Sequence, residues 1–282
     1  MSVRRSDLLV TPGELADELA SADPPVVLDV RWRLDRPDGW DDYLAGHISR
    51  AVFVRLDAEL SDPFHPVTAG RHPLPSREDF ENSARAWGVS QGSRVVVYDD
   101  NGGLAAARAW WLLRYSGFDA VRVLDGGLPA WVAAGLPLDT SVQVPERGDV
   151  VLDAGRLPTI DIDGAAEFPA HGVLLDCRAR ARFRGEVEPI DPAAGHIPGA
   201  HNAPTTELLD EGGSFLPVEA IRARFVDLGV GCDVDVAVYC GSGVTAAHSA
   251  LALTLAGFTP ALYAGSWSEW SNHPDRPVAV GD

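Results

Sequence analysis

The sequence contains no lysine, and all 23 of its cationic side chains are arginine. Enzyme classes that need a lysine Schiff base or a P-loop lysine are therefore excluded. Cysteine is also scarce: Cys177, Cys232 and Cys240 form no C-x-x-C pair and have no metal-ligand spacing to the histidines. Three such thiols make no disulfide framework, so we expect reduced cysteines, no bound metal and no other cofactor.

Long apolar runs and excess positive charge are missing as well. No stretch of about 18 apolar residues occurs, so we expect no transmembrane helix. The segment 1–7 lacks the apolar core of a secretory signal, which favours a cytoplasmic location. A net charge of −18 argues against nucleic acid and against anionic membranes as partners. The more ordinary meaning of such acidity is solubility.

One sequence pattern occurs twice. Each copy has an apolar strand ending in aspartate, a Gly-His-Ile motif, a second apolar strand followed by a helix, and a closing turn with tryptophan. The matching segments are 26–31 and 173–178, 46–51 and 195–200, 95–99 and 236–240, and 123–131 and 262–270. Short apolar strands alternating with helices are typical of parallel sheets. We therefore predict an α/β chain with two domains, 1–139 and 159–282, joined by a proline-marked linker, 140–158. In each domain we expect a mostly parallel sheet flanked by helices.

The most informative segment is 236–247, VAVYCGSGVTAA. A strand-forming run ends in Cys240, two glycines and two hydroxyl residues follow, and a helix-forming run then begins. The thiol is thus expected at the end of a buried strand, where loop N–H groups and the helix dipole stabilise negative charge. A buried structural cysteine is the alternative. The cluster of glycines and hydroxyls after Cys240 favours a nucleophile.

The first copy carries Asp99 where the second carries Cys240. Because a carboxylate cannot serve as a sulfur nucleophile, we expect the N-terminal domain to be chemically silent. Its expected role is to form one side of a cleft between the two domains and to help position what binds there.

Ala246 stands six residues after Cys240, where phosphatases and arsenate reductases with such loops have an oxyanion-binding arginine. Without that arginine, phosphoryl transfer lacks its main transition-state support. Sulfur transfer remains, in which the thiolate takes a sulfur atom and forms a persulfide. Loop amides can stabilise this anion, and Ser242 and Thr245 can donate further hydrogen bonds.

These features resemble the tandem-domain rhodanese family of sulfurtransferases over nearly the whole chain. The loop 240–245, CGSGVT, is similar to that of the 3-mercaptopyruvate sulfurtransferases, whereas thiosulfate-specific members carry arginine and lysine just after the cysteine. The segments 195–200, GHIPGA, and 264–267, AGSW, also match the family. The resemblance implies that the donor is bound by Arg182 and by the loop residues Gly241, Ser242, Gly243, Val244 and Thr245. Asp191 stands where the family usually has a second arginine, which keeps thiosulfate open as a donor.

The resemblance further implies that the loop serine acts with a histidine and an aspartate of the first domain. Ser242 matches the serine and His47 the histidine, and Asp38 is the expected aspartate, with other carboxylates nearby at Asp35, Asp41 and Asp42. A histidine in the Gly-His-Ile motif can instead brace the fold in both copies, as at His196. His72 is a further candidate for the cleft that the sequence leaves open.

We therefore predict an enzyme that moves sulfur from 3-mercaptopyruvate through a Cys240 persulfide to a thiol acceptor such as thioredoxin, or to cyanide. Thiosulfate:cyanide sulfurtransferase activity is the near alternative. A non-enzymatic persulfide carrier or docking module is the distant one. Cys177 and Cys232 are expected to be inert. The arginines near Arg182 either contact the donor or form a salt-bridged surface; they are Arg178, Arg180 and Arg184.

Overall fold

The computed structural model describes residues 4–282, and the first three residues of the expected N-terminal domain lie outside this part. The apolar strands form two five-stranded sheets, ordered β1-β5-β4-β2-β3 and β6-β10-β9-β7-β8. All neighbouring strands in both sheets are parallel. The strands of the first sheet are β1 (Leu9–Val10), β2 (Val26–Asp29), β3 (Ala51–Phe53), β4 (Val95–Tyr98) and β5 (Val121–Leu124). Those of the second are β6 (Thr159–Ile160), β7 (Gly172–Asp176), β8 (His201–Asn202), β9 (Asp235–Tyr239) and β10 (Ala261–Tyr263).

Helices cover both faces of each sheet, because successive strand residues pack into separate apolar clusters on opposite sides. The N-terminal helices are α1 (Arg5–Leu8), α2 (Pro12–Leu19), α3 (Trp40–Ala45), α4 (Leu56–Glu59), α5 (Arg77–Ala86), α6 (Ala106–Tyr115) and α7 (Gly127–Ala133). The C-terminal ones are α8 (Ile162–Glu167), α9 (Arg180–Phe183), α10 (Val218–Asp227), α11 (Val244–Leu255) and α12 (Ser266–Trp270). Short 3-10 helices lie at Val67–Ala69, Phe168–Ala170 and Thr205–Leu208.

The predicted duplicated α/β fold is confirmed, since each half contains the same parallel sheet in the same strand order. Between Ala133 and Thr159 the chain has neither helix nor strand. This segment lies against the N-terminal domain: Val150 is fully buried, and the Leu152 N–H donates to the Glu81 carboxylate at 2.8 Å. The exact limits of the linker, 140–158, stay a prediction.

The two halves share one apolar core. A single cluster includes Leu28 and Val97 of the first sheet together with Val238 of the second. Helices α6 and α11, which follow the two corresponding strands, pack against each other across the domain boundary. The loops that precede these helices therefore lie at the same interface, and residues of both domains can reach Cys240.

His248, in α11, is fully buried at this interface. Its Nδ1 lies 2.7 Å from Thr205 Oγ1, and its ring stacks on Phe215. Burial lowers the pKa of His248 to about 3. Below pH 6.5 the histidine is protonated in the unfolded chain but stays neutral in the folded protein. The free energy of unfolding therefore decreases as the pH drops from 6.5 towards 3.

We expect His248→Gln to flatten this pH dependence, because glutamine can bond to Thr205 without titrating. Urea unfolding of the wild type and the variant between pH 7 and about pH 4 measures the effect. His201→Gln, at an exposed histidine in β8, is the matched control and should leave the slope unchanged. Parallel curves for the wild type and His248→Gln would contradict the assignment.

Candidate active site

Strand β9 ends immediately before Cys240, and the loop turns sharply into α11. Gly243 makes the turn at φ +76°, and a Cβ there would lie 2.3 Å from the Ala264 carbonyl oxygen, so only glycine fits. The Gly243 N–H donates to Cys240 Sγ at 3.2 Å. From the other side, the Cys240 N–H donates to Ser266 Oγ at 3.1 Å, and the Trp267 N–H donates to the Cys240 carbonyl at 3.0 Å. The sulfur is thus fixed against one N–H group of the loop.

Cys240 faces a cavity of about 230 Å³ between the domains. This is smaller than the roughly 300–1,000 Å³ of pockets for drug-sized ligands, and it suits a small metabolite. The N-terminal wall is formed by Trp32, Leu34, Arg71 and Leu104. The C-terminal wall includes the expected donor-binding residues Arg182, Gly241, Ser242, Val244 and Thr245. Gly243 shapes the loop behind this wall.

Ser242 is held by a histidine of the other domain. His72 Nδ1 lies 2.7 Å from Ser242 Oγ, and His72 Nε2 lies 3.0 Å from Asp57 Oδ1. The indole N–H of Trp32 donates to the same Asp57 oxygen at 3.0 Å, and the His72 ring packs edge-on against Trp32. These contacts fix both the position and the plane of the imidazole.

The hydrogen bonds of His72 define its protonation. A carboxylate only accepts, so Nε2 carries the proton that Asp57 receives, and Nδ1 is left to accept the Ser242 hydroxyl proton. Burial lowers the pKa of His72, against the opposing effect of Asp57. The imidazole is therefore neutral at pH 7 and can act as a base towards Ser242.

The structure does not bring His47 or Asp38 to this site. His47 is fully buried in the N-terminal domain, where its ring stacks on Tyr43 and its Nδ1 lies 2.7 Å from the Tyr43 carbonyl. His196 makes the equivalent stack and hydrogen bond in the second domain, so the Gly-His-Ile histidine braces both copies. Asp38 is exposed and accepts the Trp40 N–H at 3.0 Å. His72 and Asp57 therefore replace His47 and Asp38 as candidates.

One signal for His72 was present in the sequence. His72 lies in the segment 60–76, which is longer than the equivalent 209–217 of the second copy and contains only a short 3-10 helix. Long irregular loops in compact domains are commonly functional. Asp57 carries no such signal, because its role follows from the position of α4 relative to this loop.

The arginines near the cavity differ in their partners. Arg178 is buried in ion pairs with Asp176 and Glu188, which makes it part of the fold. Arg180 and Arg184 pair with exposed carboxylates at the surface. Arg182 borders the cavity and is held by carboxylates of the segment 188–191. Arg178 also borders the cavity, but its guanidinium donates to Asp176, to Glu188 and to the Gly195 carbonyl, so Arg182 stays the candidate donor-binding residue of the four.

A second buried cation comes from the N-terminal domain. Arg108, in α6, is fully buried and donates to the carbonyls of His72 at 2.9 Å and Gly243 at 3.3 Å. Burial lowers the pKa of Arg108 to about 10, and the negative charge of a Cys240 thiolate opposes this shift. No carboxylate in residues 4–282 forms a salt bridge with Arg108. The guanidinium thus places a positive charge behind the loop that begins at Cys240.

The first copy shows what such a loop binds. The Asp99 carboxylate, at the position of Cys240, accepts four backbone N–H groups at 2.8–2.9 Å, from Asn101, Gly103, Ala105 and Ala106. Burial raises the pKa of Asp99, and these four N–H groups oppose that shift. The loop before α6 therefore encloses a carboxyl group that is part of the chain. The loop before α11 has the same place in the fold. Here the Cys240 sulfur lies at the position that the Asp99 carboxyl group occupies in the first copy.

The remaining thiols differ from Cys240. Cys177 is buried, and burial raises its pKa well above the usual range. Cys232 is exposed, away from the cavity walls. Among residues 4–282, no group of three His, Cys, Asp or Glu side chains could hold a metal ion. Within the same range, no helix combines the length and the apolar character that crossing a membrane requires.

An anchored cysteine facing a small cavity between two copies of one domain defines a thiol-dependent group-transfer enzyme. The family model for the rhodanese-like domain matches twice, at residues 11–134 and 162–273. The chain belongs to this family, and the sequence-based prediction of a tandem rhodanese enzyme is confirmed.

Relatives cover nearly the full length. SseB of Mycobacterium tuberculosis, named provisionally as a thiosulfate sulfurtransferase, is 47% identical over 98% of both chains. A Pseudomonas aeruginosa protein, named provisionally as a 3-mercaptopyruvate sulfurtransferase, is 48% identical over 97% of this chain and 98% of its own. The crystal structure of SseA from Escherichia coli, one of the 3-mercaptopyruvate sulfotransferases, superposes with a TM-score of 0.80. It is 34% identical, and the match covers 92% of this chain and 98% of that one. The predicted class of enzyme, a sulfurtransferase, is thereby confirmed.

Proposed function

We propose that the chain transfers sulfur from 3-mercaptopyruvate to a thiol or to cyanide through a persulfide on Cys240. The observation that carries this choice of donor is the hydrogen-bonded series Ser242–His72–Asp57 beside the cysteine loop. A donor that loses its sulfur from carbon leaves a carbanion that must be protonated. Thiosulfate leaves sulfite, which needs no proton at carbon, so a relay of this kind is useful only with the carbon donor.

The first half-reaction uses the residues around the loop. The Cys240 thiolate attacks the donor sulfur, an S–S bond forms as the C–S bond breaks, and pyruvate departs as its enolate. The donor thiol proton passes to Ser242 as the serine proton passes to His72, and the relay then returns a proton to the enolate carbon. The Gly243 N–H and the positive charge of Arg108 stabilise the negative sulfur.

The second half-reaction regenerates the thiolate. An acceptor thiolate, such as that of thioredoxin, attacks the outer sulfur of the persulfide. The S–S bond to Cys240 breaks, and the acceptor departs as a persulfide. Cyanide in the same role departs as thiocyanate. Cys240 is 1% exposed, so an acceptor must reach the sulfur through the cavity. A cytoplasmic location remains a prediction from the sequence.

Thiosulfate is the second candidate donor, because two guanidinium groups, those of Arg71 and Arg182, border the cavity beside Gly241. Cations near the sulfur favour a compact dianion. The relative from Mycobacterium tuberculosis is also named for thiosulfate.

Comparing kcat/KM for the two donors at a fixed thiol concentration tests the proposal. We expect 3-mercaptopyruvate to be preferred. A tenfold preference for thiosulfate, about 1.4 kcal/mol in transition-state binding, would overturn the choice of donor. The intact mass of the protein, measured after incubation with each donor and removal of that donor, distinguishes both enzymatic functions from a carrier that a partner protein loads with sulfur. A carrier would gain sulfur only when a partner protein supplies it, never from a small donor alone.

A further inference from the structure

Arg71 crosses from the N-terminal domain to the C-terminal side of the cavity. It precedes His72 in the loop 60–76, its backbone N–H donates to Ser268 Oγ at 3.0 Å, and its Nη1 pairs with Asp191. The Nε and Nη2 atoms of Arg71 are buried, yet neither has a hydrogen-bond partner among the described residues. The Arg71 side chain as a whole is 25% exposed. Buried charged donors without an acceptor are rare and costly, so this edge of the guanidinium is available to an anion in the cavity.

The unpaired edge of Arg71 lies beside the catalytic loop. A Cβ on Gly241 would lie 3.1 Å from Arg71 Nη2 and 3.2 Å from Arg182 Nη1. Both arginines border the cavity that contains Cys240. The missing side chain at Gly241 leaves room for two guanidinium groups to approach the same point.

The carboxylates of the segment 188–191 orient both arginines. Glu188 accepts from Nε and Nη2 of Arg182, and Asp191 accepts from Arg182 Nη2 at 3.1 Å and from Arg71 Nη1. Asp191 is almost fully buried, and burial raises its pKa against the opposing effect of Arg71. With Nη1 held by Asp191, Arg71 presents Nε and Nη2, the edge that binds a carboxylate through two parallel hydrogen bonds.

We propose that Arg71 of the N-terminal domain binds the anionic group of the sulfur donor through its Nε–Nη2 edge, with Asp191 as the residue that orients it. The inference rests on the proposed function and names the donor contact within it. It also gives Asp191 a role. Where the sequence has an aspartate instead of a second arginine, that aspartate holds an arginine supplied by the other domain.

The test is Arg71→Met, assayed with 3-mercaptopyruvate and with 1-mercaptopropan-2-one, which keeps the thiol and ketone but lacks the carboxylate. We expect the KM for 3-mercaptopyruvate to rise roughly 10- to 100-fold, the range for losing a hydrogen bond to a charged group. We expect a much smaller change in kcat, and no more than about a threefold change in kcat/KM for the ketone donor. Arg71→Lys keeps the charge but loses the fork, so its KM should also rise.

Arg180→Met is the matched control, because Arg180 is an exposed arginine of α9 that pairs with Glu207 and does not line the cavity. It should leave both donors unaffected. An unchanged KM in Arg71→Met, or an equal loss with both donors, overturns the inference, since an equal loss indicates a structural role. Wild-type protein that prefers thiosulfate refutes the proposed donor instead. The Arg71 variants are then assayed with thiosulfate, where an unchanged KM overturns the inference and a raised KM supports it.

Discussion

Replacing Cys240 by serine should reduce sulfur transfer by about four orders of magnitude or more, the scale expected when a covalent nucleophile is removed. Serine preserves the size of the side chain, and its hydroxyl can still accept from the Gly243 N–H that contacts the sulfur at 3.2 Å. Folding should therefore persist, with unchanged circular dichroism and an unchanged unfolding midpoint. Incubation with 3-mercaptopyruvate should add one sulfur atom to the wild type and none to the variant.

Cys232→Ser is the matched control, since Cys232 is exposed and lies outside the cavity walls. It should gain the sulfur atom as readily as the wild type. Transfer retained in Cys240→Ser would refute a persulfide at this position. Sulfur found on Cys177 instead would show that the nucleophile is the thiol that follows β7.

Local sequence was sufficient to predict the fold and the place of Cys240 in the loop between a buried strand and a helix. Apolar strands followed by helices specify a parallel sheet, and the repeat of the whole pattern specifies two copies of it. The glycine at position 243 is required by a positive φ and by the close Ala264 carbonyl, so its presence in the sequence reports the loop conformation directly. These features depend on residues near one another along the chain.

The partners of Ser242 could not be predicted in the same way. His72 contacts the serine, and Asp57 contacts His72, because α6 and α11 pack across the domain boundary and because the loop 60–76 reaches the cavity. The helix packing has no local sequence pattern, and the length of the loop 60–76 marks the loop as irregular without specifying that His72 reaches Ser242. The Gly-His-Ile motif suggested His47, but a motif present in both copies reports what the two domains share, which is the stacked histidine brace.

The N-terminal domain was expected to be a silent wall, and the structure shows a larger contribution. Its nucleophile position is indeed filled by Asp99, whose carboxylate closes the loop. The same domain nevertheless supplies Arg108 behind the cysteine loop, His72 beside Ser242 and Arg71 at the cavity. The N-terminal domain thus carries no thiol at this position, but it contributes two cationic side chains and a histidine to the surroundings of Cys240.

His72→Phe should lower kcat/KM for 3-mercaptopyruvate by about 10²- to 10⁴-fold, the usual contribution of an acid–base group. Phenylalanine retains the ring that packs against Trp32 but removes both nitrogens, so Ser242 loses its proton acceptor. Transfer from thiosulfate should fall much less, because sulfite departs without a proton on carbon. His65→Phe, in the same loop but outside the cavity walls, is the control and should resemble the wild type with either donor.

The pH profile separates a proton relay from a structural role of His72. Burial lowers the pKa of His72 below its usual 6.5, so the neutral base persists through that pH and is lost only on further acidification. We expect wild-type kcat/KM for 3-mercaptopyruvate to hold down to pH 6.5 and to decline below it, and we expect this decline to be absent in His72→Phe. An equal loss with both donors, or an acid limb that survives in the variant, would show that His72 only supports the loop. In that case the geometry of Ser242 would no longer favour a carbon-bound sulfur donor over thiosulfate.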